Sequence, residues 1–122
     1  MSLLILMGTP DISADHTIDL QDGRVTYRVD ASGGDVTLTL PMSGVIAKVT
    51  FVIIRLDDSA NNVVIDAGAD GVIHALNLSY SGTPNTDRSI ALHGQYSYVW
   101  VMASGADDCH WIVVADEGGG DN

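Results

Sequence analysis

The chain has 122 residues, enough for one domain that buries roughly two-thirds of its surface on folding. Sixteen carboxylates stand against five lysines and arginines, a net charge of −11 that repels phosphate backbones and anionic lipid and so excludes nucleic-acid and membrane-surface partners. Cys109 is the single cysteine, which excludes an internal disulfide and a thiolate metal cluster.

The chain begins with an apolar run containing Leu3, Leu4, Ile5 and Leu6, too short to cross a bilayer and without a basic region or cleavage site of a signal peptide. Gly8 and Pro10 break it, so residues 1–10 read as an arm and 11–117 as a body. The arm is either an exposed edge strand that a partner covers or the first strand of the body's own sheet. Residues 16–20 and 25–31 flank Asp22-Gly23, which predicts a first hairpin.

Val36, Leu38 and Leu40 alternate with Thr37 and Thr39, a half-buried strand ended by Pro41. Residues 48–56 follow, with Phe51 and Ile53 on one face and Val52, Ile54 and Leu56 on the other. The polar segment Asp57-Asp58-Ser59-Ala60-Asn61-Asn62 then leads to Val63-Val64-Ile65, which reads as a second hairpin.

Residues 72–80 read as a strand, 81–87 as a long loop and 88–93 as a strand with Ile90 and Leu92 on one side. In residues 96–103, Tyr96, Tyr98, Trp100 and Met102 share one face against Val99 and Val101 on the other. A turn at 104–110 precedes the last strand, 111–115, and residues 118–122 form a glycine-rich, acidic, flexible tail. Eight or nine strands without a helical window predict an all-β domain, an antiparallel β-sandwich or jelly-roll-like barrel.

Two strands with two apolar faces need cover on both sides; in so small a chain a second copy is the economical cover, and an internal central strand would give the same pattern. Phe51, Ile53, Tyr96, Tyr98 and Trp100 are the candidate oligomer interface. The aromatic face also suits a carbohydrate platform or a buried core.

Chemistry is not indicated. His16, His74, His93 and His110 lack a metal-ligand spacing, and Asp107, Asp108, Cys109 and His110 diverge as neighbours in a turn do. Cys109 with His93 or His110, and Ser59, Ser79 or Ser104 with a histidine, lack the elbow or oxyanion glycines of a nucleophilic site. The Asp66 to Gly71 turn lacks the bidentate glutamate of an EF-hand. No cofactor and no metal are expected.

From Val36 to Trp111, the Thr-Leu-Thr-Leu-Pro strand, Lys48 strand, Asp58-Ser59-Ala60-Asn61 turn, Val63-x-Ile65 strand, Asp70-Gly71 turn and late aromatic strands resemble small all-β virion proteins of tailed bacteriophages, both capsid decoration proteins and tail-fibre modules. The chain departs from their Gly-(Thr/Asn)-Trp turn with an enlarged loop, Gly105 to Trp111. The resemblance implies a non-enzymatic homotrimer in the virion, made in the host cytoplasm. As a decoration or cement protein it would sit on the capsid surface, gripping the major capsid protein through Leu3, Leu4, Ile5 and Leu6 by β-augmentation. As a tail-fibre or baseplate module it would touch a host receptor or glycan through residues 81–87 and 104–110.

Overall fold

A computed structural model describes residues 11–19, 25–41, 49–69, 71–74, 89–103 and 110–121, none of them helical. The strands are β1 His16–Thr17, β2 Thr26–Val29, β3 Val36–Thr39, β4 Thr50–Arg55, β5 Val63–Asp66, β6 Val72–His74, β7 Ser89–Leu92, β8 Tyr98–Ala103, β9 His110–Glu117 and β10 Gly119–Asp121. They form two sheets, the first in the order β1-β3-β5-β7-β10 and the second in the order β2-β4-β8-β9-β6. Among the described residues neither sheet closes into a barrel, and the fold is a β-sandwich with mixed rather than wholly antiparallel sheets.

The mixture follows from how the chain is wound. From β1 to β8 each strand lies in the opposite sheet from the one before it. Strands that return to a sheet therefore stack in parallel: His16 opposite Leu38, Val36 opposite Val63, and Thr26 opposite Val52. Antiparallel pairing enters with β7 on β5, β8 on β4 and β9 on β8.

Neither segment read as a hairpin pairs as one: the turn of the first, with Asp22 and Gly23, lies outside the described residues and its strands are in different sheets, and the second is an arch that crosses from sheet to sheet. β1 pairs with β3 and not with β2, and β4 pairs with β2 and β8 and not with β5. A period of two defines which residues face inward but not which strand lies alongside, so hairpin and arch share one sequence pattern.

The core lies between the sheets, and alternation places it. Val36, Leu38 and Leu40, Phe51 and Ile53, Val63 and Ile65, and Val99 and Val101 are all fully buried. Tyr27, Phe51 and Trp111 form an aromatic row, Tyr27 edge-on to Phe51 at 5.9 Å and Phe51 tilted on Trp111 at 5.7 Å. Burying rings of this size contributes about 1.5–3 kcal/mol each before contact geometry adds to it.

Two glycines shape the path of the chain. Gly118 has φ +75° where the chain leaves β9 for the first sheet, and its carbonyl accepts from the His93 amide at 3.0 Å. Beyond it, the segment that composition reads as a tail runs antiparallel to β7 with Gly119 opposite Leu92. Earlier in the chain, before β6, a Cβ on Gly71 would clash with the Ala67 carbonyl oxygen.

Candidate functional site

The two outer faces of the sandwich differ in chemistry. On the first sheet the outward positions are Thr17, Thr37, Thr39, Val64, Asp66, Ser89 and Ala91, a mainly polar surface. On the second sheet they are Thr26 and Arg28 of β2, Thr50, Val52 and Ile54 of β4, Val72 and His74 of β6, Tyr98, Trp100 and Met102 of β8, and His110, Ile112, Val114, Ala115 and Glu117 of β9, apolar along the middle strands and polar at the margins.

Register brings the apolar residues together. Val52 lies opposite Trp100, Ile54 opposite Tyr98, Trp100 opposite Ala115, and Met102 opposite Ile112. A bulge in β9 after Val113 adds Val114 to the outer surface, where it is 47% exposed, next to the 44% exposed Trp100. Along one margin Arg28 of β2 stands beside Ile54 and pairs with Asp11 at 2.8 Å. This exposed pair contributes less than about 1 kcal/mol.

Of the residues read from the sequence as an interface, Tyr98 and Trp100 belong to this face. Phe51 and Ile53 do not: both are fully buried between the sheets, and the outward face of β4 belongs to Val52 and Ile54. Tyr96 is separated from the β8 row. It occupies the turn before the strand with φ +63° and is 66% exposed, and its amide donates to the Arg55 carbonyl at 2.8 Å. Leu3, Leu4, Ile5 and Leu6 lie outside the described residues, as do the 81–87 loop and Asp107, Asp108 and Cys109.

The segment from Arg55 to Asn62 holds a buried polar cluster. Arg55 shares the inward parity of Phe51 and Ile53 and is only 3% exposed. Its Nη1 donates to the Leu92 carbonyl at 3.0 Å, and its Nη2 to the carbonyls of Asn61 at 2.7 Å and Ser59 at 2.9 Å and to Asp57 Oδ2 at 3.1 Å. Nη2 has two protons for these acceptors, so they share them. One guanidinium thus ties the β4–β5 arch to β7 of the other sheet.

Asp57 completes the cluster. It accepts from the Ala31 amide at 2.8 Å, the Ser59 hydroxyl at 2.5 Å and the Ser59 amide at 3.1 Å. Burial alone would raise its pKa. The bonds from the Ser59 hydroxyl, Ala31, Arg55 and the Ser59 amide outweigh that and hold it well below the usual carboxylate range. The Ser59 hydroxyl is committed to this carboxylate, so the residue acts in the arch and not as a nucleophile. Asp66 likewise closes its own turn, accepting from the Gly68 amide at 2.7 Å.

The histidines separate. His16 stacks on Tyr27 at 5.9 Å, and His93 is exposed beyond β7. His74 and His110, 36 positions apart, are brought side by side by the parallel pairing of β6 with β9. Sequence spacing carries no sign of this pair, because only the long-range register creates it. A comparison with protein-family models and with curated proteins finds no match.

Proposed function

We propose that this protein is a non-enzymatic structural module that associates with copies of itself, as a homotrimer, through the outer face of its second sheet, in the role of a decoration protein on a bacteriophage capsid. The observation that carries self-association is the contrast between the two outer faces: Val52, Ile54, Tyr98, Trp100, Met102 and Ile112 lie together along the middle strands of one, whereas the other is mostly threonine, serine and aspartate around Val64 and Ala91. Monomeric proteins rarely leave a contiguous apolar patch of this kind in water. The virion role rests on the resemblance running from Val36 to Trp111.

Light scattering of the purified chain tests the first step. Trimers should form, and Trp100→Glu should return them to monomers while leaving the circular dichroism unchanged; a monomeric parent chain overturns self-association. Antibody labelling of intact particles by electron microscopy tests the second, with label spread over the head as the expected result.

One observation favours the tail-fibre alternative. Tyr96, an exposed ring on a turn fixed to Arg55, has the form of a stacking surface for a sugar ring. Label confined to the tail, together with glycan binding lost in Tyr96→Ala, would replace the decoration reading with this one.

A further inference from the structure

His74 ends β6, at the edge of the second sheet, and His110 begins β9 beside it. Val72 lies opposite His110 and His74 opposite Ile112, so the two histidines are diagonal neighbours on the outer face. His74 Nε2 is 3.0 Å from His110 Nδ1, the ring centroids are 4.8 Å apart and the planes are inclined by 48°. Both side chains are half-buried, which limits the rotamers they sample.

We propose that His74 and His110 form a two-imidazole chelate for a divalent transition metal, with a preference for Cu(II) and Ni(II). In the metal-free protein one ring donates an N–H to the lone pair of the other. A metal ion takes both facing lone pairs, and the displaced proton moves through solvent to the other nitrogen of the donor ring, so both imidazoles stay neutral; water fills the remaining positions.

The donors select the metal. The 3.0 Å separation is that of the N–H···N bond in the metal-free protein, and it places two imidazoles within reach of one ion. Imidazole nitrogen with oxygen ligands suits Cu(II) and Ni(II). The affinity order of divalent metals points the same way, and the chain's charge of −11 concentrates cations around it. Once bound, the metal clips the short edge strand β6 to β9.

The test is calorimetric titration of the metal-free full-length chain, carrying Cys109→Ser to exclude thiolate binding, with Cu(II), Ni(II) and Mg(II). One equivalent of Cu(II) or Ni(II) per chain should bind, Mg(II) should not compete, and His74→Gln or His110→Gln should weaken binding at least about tenfold. Electron paramagnetic resonance of the Cu(II) form should show coupling to two imidazole nitrogens, a readout that needs no variant to fold. Absence of binding, binding unchanged in both variants, or a spectrum with fewer than two nitrogens would overturn the proposal. The readouts, metal stoichiometry and spectra, do not depend on where the chain sits in a virion.

Discussion

Replacing Arg55 by methionine separates two accounts of the buried cluster. In one, Arg55 serves mainly as the counter-charge of Asp57; in the other, it serves as a clamp on the carbonyls of Leu92, Ser59 and Asn61. The single variant does not discriminate. It leaves a buried carboxylate without its cation and should cost about 3–5 kcal/mol, a large part of the roughly 5–15 kcal/mol that stabilises a domain.

The double variant Arg55→Met/Asp57→Asn does discriminate. Asparagine removes the charge but keeps an oxygen for the Ala31 amide, so a pure ion-pair role predicts recovery to within about 1 kcal/mol of the parent. The carbonyls, however, still lose their donor, each at about 1–3 kcal/mol where water cannot reach. We expect the double variant to stay at least about 3 kcal/mol less stable than the parent. Urea denaturation at fixed protein concentration, followed by tryptophan fluorescence, measures this, and an unchanged m-value shows that the same surface unfolds. Near-parental stability of the double variant would refute the clamp.

Asp57 has a folded-state pKa below its unfolded value, so its contribution is complete above about pH 4 and is lost as pH falls below that toward the folded value; urea midpoints from pH 6 to pH 3 should fall less steeply in Asp57→Asn. Gly71→Ala should cost more than Gly118→Ala, where φ is +75° and a Cβ would meet Ser97 Cβ at 2.8 Å, whereas Gly33→Ala, with open space around it, should change thermal stability little. Tyr96→Asn should raise stability by about 0.5–1 kcal/mol in thermal melts, because asparagine accepts φ +63° more readily and the exposed ring contributes little packing.

Facing was legible in the sequence and partnership was not. The alternation Val36-Leu38-Leu40 marks inward positions correctly, and the two-faced character of β4 and β8 reappears as core on one side and apolar surface on the other. Phe51 and Ile53 fall on the core side because parity within one strand does not reveal which side meets the other sheet. Arg55 held the clue to the arch: it continues the inward parity of Phe51 and Ile53, and a cation aimed into a core requires a segment that folds back to supply acceptors. The bulge that exposes Val114 and the register that joins His74 to His110 depend on pairing between distant strands, which local pattern does not encode.

The distribution of charge bears directly on the proposed self-association. None of the outward residues of β4 and β8 is charged: Thr50, Val52, Ile54, Tyr98, Trp100 and Met102. Arg28 with Asp11 lies toward one margin and Glu117 toward the other. Association through this face buries apolar surface while the net charge of −11 on each copy opposes approach. Salt should therefore strengthen self-association, since raising ionic strength from 0.01 M to 1 M shortens the Debye length from about 30 Å to about 3 Å and leaves the apolar contribution in place. Sedimentation equilibrium across that range measures the effect. An association that weakens with salt would show that complementary charges hold the copies together, and would move the interface away from the second sheet.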